Sequence, residues 1–348
     1  MSRRTLFVAS CGLVAALILG TAAAASRSVI QGVAGVSHAS TATQSVRIAW
    51  FGTRANAFYA AELKALQAEA SKLGANVTVF DSAFDPNKQF SQVQDAITSK
   101  RYKGFIIAPV NGAALVPIVQ KALAARIKVV GVNGPLGPNP DKIGVQIKGV
   151  SGQIWTPTVS RGKWMTQQMI AACRGVDPCK VAYHAGVAAF PIEQTIKRSF
   201  EAAIKNQPNI DYVGYFDGNG YTVAGGQKVA ADIIAANPDI NVIASGDQAA
   251  LGAALAVRAA GKTPGGARGQ VRLLGIGSAG VVLKAIKDGT LFNTQADAAA
   301  GEGRLSLRVL LDAIAGKLKK PAVFDPVVRS GRPAIINRGN VAKVKAEY

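Results

Sequence analysis

The sequence predicts an α/β protein of two Rossmann-like lobes, each a parallel sheet covered by helices. Short strands that are apolar on both faces alternate with amphipathic helices, as in a parallel sheet with helices on both sides. The 348 residues, 49% of them hydrophobic, exceed what one hydrophobic core usually fills. A stretch rich in Pro and Gly at 134–152 separates two such series of elements.

Residues 1–25 have the three regions of a secretory signal peptide. Arg3 and Arg4 precede an apolar run at 6–20, and small residues follow up to residue 25, where we expect cleavage. The alternatives are an uncleaved anchor, for which about 20 apolar residues are needed, and a lipid anchor at Cys11, beyond which the apolar run continues. Export to the periplasm is therefore the prediction.

The charge balance is strongly basic. The chain has 40 Lys and Arg against 20 Asp and Glu, a formal charge of +20, and the signal peptide accounts for only two of these bases. Such a balance can indicate nucleic acid or an anionic surface. Because the bases are scattered through helical segments rather than massed in one run, we predict a solvated basic surface and no nucleic-acid partner.

Two cysteines remain after removal of the signal peptide. Cys173 and Cys179 lie in the run Cys-Arg-Gly-Val-Asp-Pro-Cys, which in an oxidising compartment predicts a local disulfide, with two free thiols as the alternative. The only histidines are His38 and His184, neither near the pair. We therefore expect no metal site.

The elements alternate from residue 45, after a leader at 26–44 that is rich in Ser, Ala, Gly and Thr. In the first series a helix ending at Leu73-Gly74 follows the first strand, and the predicted strands are 46–51, 77–80, 104–108 and 128–132, with further helices at 87–100 and 113–125. In the second series the predicted helices are 161–173, 192–206, 223–236 and 248–260, and the strands are 180–184, 212–215, 241–244 and 271–275.

Ligands of open parallel sheets bind beyond the carboxyl ends of the strands. With two lobes facing one another, the expected site is the cleft between them. The informative positions are then those just after each strand: 56–59, 110–112, Asn133, 185–192, 217–221, Asp247 and Gly277.

Several of these stretches, in order, resemble one family. They are Asn56-Ala57-Phe58-Tyr59, the run 104–111 with Gly-Phe-Ile-Ile-Ala-Pro-Val-Asn, the run 246–252 with Gly-Asp-Gln-Ala-Ala-Leu-Gly, and 285–291. From about residue 45 to 330 the chain resembles the periplasmic sugar-binding proteins of the ribose-binding type, the extracytoplasmic receptors of ABC transporters.

The resemblance implies the type I periplasmic binding protein fold, in which three crossings join discontinuous lobes. The expected crossings lie near residues 154, 297 and 326. The expected N-terminal lobe is 45–154 plus 298–326, and the expected C-terminal lobe is 155–297 plus 327–348.

The resemblance also implies a set of ligand-binding residues. Phe58 and Tyr59 from one lobe and Tyr221 from the other would stack on the apolar face of a sugar. Asn56 would bond to a hydroxyl through its amide. The other candidates for polar contacts are Asn111, Asn133, Asp247 and Asp297, with Trp155, Gln194 and Gln295 as further residues that could reach the cleft. Each could instead be an ordinary core, turn or hinge residue.

Most polar positions depart from the ribose-binding pattern. Since an unpaired buried polar group costs about 1–3 kcal/mol, these departures predict that ribose binds poorly. A cationic or amino-bearing ligand would suit the surviving acids. In this chain Asn133-Gly134 replaces Asp-Arg, Ile196 replaces Arg, Gly246-Asp247 replaces Asn-Asp, Gly275-Ile276-Gly277 replaces Gly-Phe-Asp, and Asp297 replaces a hinge Gln.

One glycine-rich turn resembles an enzyme motif, and the common hydrolase motifs are absent. The turn 275–280 has the glycine spacing of a dinucleotide fingerprint with Asp297 about 20 residues on, but it lies late in the chain rather than in a first βαβ unit. There is no Gly-x-Ser-x-Gly or His-Glu-x-x-His motif. We therefore predict no enzyme and no cofactor.

The predicted function is an extracytoplasmic solute-binding protein. A small sugar-like ligand would bind in the open cleft and stabilise the closed form, which an ABC transporter permease would recognise. The alternative is a periplasmic sensory receptor that presents the same closed form to a chemotaxis or kinase partner. We expect a monomer.

Overall fold

The structure is a computed structural model that describes residues 45–218 and 220–348. The predicted signal peptide 1–25 and leader 26–44 lie outside these residues. No helix in the described part of the chain is both long and apolar enough to cross a membrane.

The first sheet has six parallel strands in the order β11-β5-β4-β3-β1-β2. We call the half of the molecule around it the first lobe. Its strands are β1 Val46–Gly52, β2 Ala75–Asp81, β3 Gly104–Ile107, β4 Lys128–Val132, β5 Gly152–Ile154 and β11 Ala322–Phe324.

The second sheet has six strands in the order β12-β10-β9-β8-β6-β7, and we call the half around it the second lobe. All its pairings are parallel except that of β12 with β10. The strands are β6 Cys179–Ala185, β7 Ile210–Asp217, β8 Val242–Ala244, β9 Arg272–Ile276, β10 Asn293–Gln295 and β12 Ile335–Asn337. The predicted fold class is confirmed, and the antiparallel β12 is the one departure from a purely parallel pair of sheets among the described strands.

Ten α-helices of the described chain cover the two sheets. They are α1 Ala57–Lys72, α2 Pro86–Thr98, α3 Val116–Ala124, α4 Thr158–Ala172, α5 Pro191–Ile204, α6 Val223–Ala236, α7 Asp247–Ala259, α8 Gly280–Lys287, α9 Ala299–Ile314 and α10 Pro326–Arg329. The prediction for α4 started at residue 161 and was wrong by three residues. Pro157 immediately precedes α4 and has a ψ of 133°, outside the helical range, so the helix starts directly after it.

Strand β1 shows why its sequence is apolar throughout. Ile48 and Trp50 pack into the cluster that α1 and α9 cover, whereas Ala49 and Phe51 pack into the cluster on the opposite face. All four side chains are fully buried. Because successive side chains of a strand alternate between faces, a sheet that is covered on both sides requires this continuous apolar run.

The chain passes between the two sheets three times: between β5 and α4, between β10 and α9, and after β11. Hydrogen bonds join these crossings to each other. The Arg161 guanidinium donates to the Ala296 carbonyl at 3.2 Å, and the Thr156 hydroxyl donates to the Asp325 carboxylate at 3.1 Å. The crossings therefore form one connected hinge region.

The second lobe contains a disulfide. The sulfur atoms of Cys173 and Cys179 are 2.08 Å apart and the two Cα atoms are 5.5 Å apart. The bridge closes the turn between α4 and β6, and both cysteines are buried.

Candidate functional site

A cavity of about 150 Å³ lies between the two lobes, where the carboxyl ends of strands from both sheets meet. Asn111 does not line it; its carboxamide oxygen instead accepts the Ala114 backbone N–H at 3.2 Å. The other predicted site residues line it together: Asn56, Phe58, Tyr59, Asn133, Tyr221, Asp247 and Asp297.

Asn56 sits at the start of α1. Its side-chain oxygen accepts the Tyr59 backbone N–H at 3.1 Å and so caps the helix. This cap fixes the helix end that carries Phe58 and Tyr59 into the cavity. It also uses the amide oxygen, so the amide nitrogen of Asn56 is the group left to donate to a ligand.

Phe84 is the central aromatic residue of the cavity, and the sequence analysis did not assign it to the site. Its ring centroid is 5.9 Å from that of Tyr59, 6.0 Å from that of Tyr221 and 5.8 Å from that of Phe190. Phe84 thus stands between Tyr59 of the first lobe and Tyr221 of the second. Its place just after β2 follows the strand-end rule that identified Asn56.

The turn after β2 holds Phe84 in a strained backbone conformation. Ala83 and Phe84 have φ values of 51° and 64°, a left-handed region that is costly for a bulky side chain. The Asp81 carboxylate accepts the backbone N–H groups of Ala83 at 2.9 Å and Arg54 at 3.2 Å. The Ser82 hydroxyl donates to the Gly52 carbonyl at 2.7 Å. These bonds stabilise a turn that aims an aromatic ring into the cavity.

Tyr221 reaches the cavity over a glycine. A Cβ atom at Gly186 would lie 2.0 Å from the Tyr221 ring, so only glycine permits this approach. The neighbouring Glu193 carboxylate accepts the Tyr183 hydroxyl at 2.9 Å and the Gly186 N–H at 3.1 Å. Burial raises the pKa of Glu193.

Asp247 and Asp297 meet at the hydroxyl of Tyr348. The Tyr348 oxygen is 2.8 Å from Asp297 Oδ2 and 3.1 Å from Asp247 Oδ2. Asp297 Oδ1 also accepts the Ser278 hydroxyl at 2.6 Å. A Cβ atom at Gly277 would lie 2.4 Å from the Asp247 carboxyl, so glycine makes room for the pair. Tyr348 lines the cavity and was missed because it is distant in sequence from every strand end.

Burial raises the pKa of both acids. For Asp247 the pKa rises to about 7, first through burial and then through repulsion by Asp297, while the hydrogen bond with Tyr348 opposes the rise. The pKa of Asp297 is raised by burial, against the Ser278 hydrogen bond and the charge of Arg161.

Arg161 is the only Lys or Arg among the described residues that line the cavity. It lies in the first turn of α4, and its bond to Ala296 uses one of its five N–H donors. Its charge also acts on Glu302, a buried acid: burial raises the pKa of Glu302 well above the usual range, and Arg161 opposes the rise. Arg161 was not predicted as a site residue because it lies in a helix and not just after a strand.

Glu62 lies on α1 of the first lobe, outside the cavity lining, and is fully buried. Its carboxylate accepts the Trp50 indole N–H at 3.0 Å. Burial raises the pKa of Glu62 to about 7, and Glu62 in turn raises the pKa of Glu302 on α9.

The three further candidates do not line the cavity. The Gln295 amide donates to the Arg161 carbonyl and to Gln168, each at 2.9 Å. The Gln194 amide donates to the Ala188 carbonyl at 2.5 Å. Trp155 is buried. In 45–218 and 220–348, no group of three His, Cys, Asp or Glu side chains could hold a metal ion.

Most of the chain is similar to known periplasmic binding proteins. The model of the periplasmic binding protein domain matches residues 50–318. The D-ribose/D-allose-binding protein of Pseudomonas aeruginosa is 29% identical over 67% of this chain and 69% of its own length. The D-allose-binding periplasmic protein of Escherichia coli is 27% identical over 75% of this chain and 82% of its own length.

Solved structures share the fold. An ABC transporter solute binding protein from Agrobacterium vitis, with bound D-fucose, has a TM-score of 0.74 at 24% identity, over 86% of this chain and 98% of that one. One from Bacillus halodurans, with bound myo-inositol, has a TM-score of 0.73 at 19% identity, over 88% of this chain and 100% of that one.

Proposed function

Because this chain belongs to the periplasmic binding protein family, we propose that it is the extracytoplasmic receptor of an ABC transporter and binds a small sugar-like ligand between its lobes. The observation that carries the proposal is the cavity at the strand ends, lined by aromatic rings from both lobes. Aromatic faces can stack on the apolar C–H face of a sugar while polar groups read its hydroxyls. The relatives named for D-allose and D-ribose support a sugar as the ligand class.

Hinge closure is the proposed mechanism. A ligand that contacts Tyr59 and Phe84 of the first lobe and Tyr221 of the second stabilises the closed form by its higher affinity for it. The hydrogen-bonded crossings restrict the motion to a bending of the connected hinge. A permease then recognises the closed pair of lobes, and a sensory partner would use the same form.

The proposed lobe bounds remain 45–154 plus 298–326 and 155–297 plus 327–348. Membership of the sheets supports them, since β5 and β11 belong to the first sheet and β10 and β12 to the second. The predicted export to the periplasm and the monomeric state also remain proposals.

Isothermal titration with D-allose, D-fucose, myo-inositol and D-ribose tests the function. We expect at least one of them to bind with a Kd below about 10 µM. We expect D-ribose to bind at least about tenfold more weakly than the best of them, because the polar residues of the ribose-binding pattern are replaced.

Mass spectrometry of any small molecule that co-purifies with the chain is a second, independent test of the ligand class. A co-purified polyol or sugar supports the proposal. A chain that binds none of the four probes and carries no such molecule would contradict it. Tight D-ribose binding would contradict only the expectation about ribose.

A further inference from the structure

The Tyr348 hydroxyl contacts two buried acids from different parts of the second lobe and the hinge. Asp247 lies at the start of α7, and Asp297 lies at the crossing between β10 and α9. The Oδ1 atom of each acid already has a donor, since Asp247 Oδ1 accepts the Gln248 N–H at 2.7 Å and Asp297 Oδ1 accepts the Ser278 hydroxyl. The Oδ2 atoms of both acids contact the Tyr348 hydroxyl.

A count of protons constrains this arrangement. A phenol has one proton and can form one strong hydrogen bond with it. The second contact is an equally strong hydrogen bond if the other carboxyl is protonated and donates to the phenol oxygen. Two strong hydrogen bonds at this hydroxyl thus require one more proton than two carboxylates and a phenol hold.

The segment that carries Tyr348 is anchored independently of its hydroxyl. The Tyr348 backbone carbonyl accepts the Gly280 N–H at 2.6 Å. The Glu347 carboxylate accepts the Gly301 N–H at 3.2 Å and forms an ion pair with Arg332, in which both side chains are largely buried. None of these anchors involves the Tyr348 hydroxyl.

The Tyr348 ring also faces the opposite lobe. Its centroid is 6.1 Å from that of Phe58, in an edge-to-face arrangement. Tyr348 therefore joins an aromatic wall of the first lobe to the acids of the second.

We propose that Tyr348 is a positioning residue of the ligand cavity, which holds Asp247 and Asp297 as one proton-sharing pair and presents them to the ligand. The position of the ligand cavity rests on the proposed function. The pair then offers a ligand fewer free acceptors than two separate carboxylates would.

The pKa directions agree with this geometry. Burial and mutual repulsion raise the pKa of Asp247 to about 7, and the Tyr348 hydrogen bond lowers it. The other charged groups around the pair are Arg161 on α4 and Glu302 on α9, together with Arg332, which donates to the Asp297 carbonyl at 3.0 Å, and Glu347.

The experiment compares the pH dependence of thermal unfolding of the ligand-free wild type, Tyr348→Phe and Asp297→Asn between pH 5 and 9. Subtracting the wild-type profile from that of each variant removes the contribution of Glu62, which is the same in all of them. In Tyr348→Phe we expect the midpoint of the pair to move up by roughly one pH unit, because the carboxylate that accepts the phenol proton loses the hydrogen bond that stabilises its charged form. In Asp297→Asn we expect it to fall, because the repulsion on Asp247 is lost. The control, Tyr102→Phe in the core of the first lobe, should superimpose on the wild type.

Isothermal titration of the same variants with the four probes measures the effect on ligand affinity. Tyr348→Phe should weaken the best probe about threefold to tenfold. A Tyr348→Phe profile that matches the wild type would overturn the proposal, and so would tighter binding by this variant, because the phenol would then occupy the place of the ligand. If no probe binds to any variant, the proposed function fails. The pH profiles of the ligand-free variants still test whether Asp247 and Asp297 share a proton.

Discussion

The two halves of the cavity differ in their chemistry. The first lobe contributes Phe58, Tyr59 and Phe84 with the amides of Asn56 and Asn133, and no carboxylate or base of this lobe lines the cavity in the described chain. The second lobe and the hinge contribute Arg161, Glu193, Asp247, Asp297 and the Tyr348 phenol, together with the rings of Phe190 and Tyr221. Both halves thus offer aromatic faces, whereas the carboxylates and the base all come from the second lobe and the hinge.

This difference indicates a division of roles. Contacts with the first lobe depend on burial and stacking, which are insensitive to pH. Polar contacts with the second lobe depend on the protonation of acids whose pKa values burial raises. The same ligand would therefore be held by pH-independent contacts on one side and by pH-dependent contacts on the other.

The largest expected effect is on the pH dependence of stability, and it compares a buried acid that lines the cavity with one that does not. Glu62 and Asp247 both have a pKa raised to about 7. A raised carboxyl pKa means that the folded state binds more protons than the unfolded state between about pH 4 and 7. The free energy of unfolding therefore falls as pH rises through this window. Above about pH 7 the whole loss of stability from each group is present. Glu62→Gln and Asp247→Asn should each remove a slope on the order of 3 kcal/mol over that window.

Urea unfolding at pH 5 and pH 8 measures these slopes. Only Asp247→Asn should also change the affinity for a sugar probe, because Glu62 lies outside the cavity lining. If Glu62→Gln altered probe affinity as strongly as Asp247→Asn, the contrast between the buried layer and the cavity would be wrong.

The next effect concerns the aromatic wall. Phe58→Ala, Phe84→Ala and Tyr221→Ala should each weaken binding of the best probe by about 1–3 kcal/mol, because each truncation removes buried aromatic area. Calorimetric titration at pH 6 and 8 measures the loss, which for Phe58 and Phe84 should be equal at both values. Tyr102→Phe serves as the control with unchanged affinity. Unchanged affinity in Tyr221→Ala would exclude a sandwich between the lobes.

The smallest effect concerns Arg161. Arg161→Gln should weaken probe binding by about 1 kcal/mol through the loss of charged donors. The matched control is Arg198→Gln, which breaks an exposed pair with Asp141 at 3.0 Å, and should leave affinity unchanged, with a stability loss below about 1 kcal/mol. Equal effects of the two substitutions on affinity would mean that Arg161 acts through general charge and not through the cavity.

Strand-end residues of the cavity were predictable, and residues placed by turns or distant segments were not. Asn56, Phe58 and Tyr59 follow the first strand directly, and the rule for parallel sheets placed them at the cleft. Asn111 satisfied the same rule, yet its amide is used within its own turn. Phe84 also lies just after a strand, but its ring reaches the cavity through a left-handed turn at a non-glycine residue, which the sequence pattern does not indicate.

By itself the sequence determined the alternation of strands and helices, and hence two covered parallel sheets, because a strand buried on both faces must be apolar along its whole length. Only the tertiary structure decided which polar residues share the cavity. Arg161, Asp247, Asp297 and Tyr348 come from α4, α7, a hinge crossing and the segment beyond β12. Burial raises the pKa values of Asp247, Asp297 and Tyr348, and the proximity of the acids adds to the rise for Asp247 and Tyr348. Those two quantities exist only once the lobes are folded and joined.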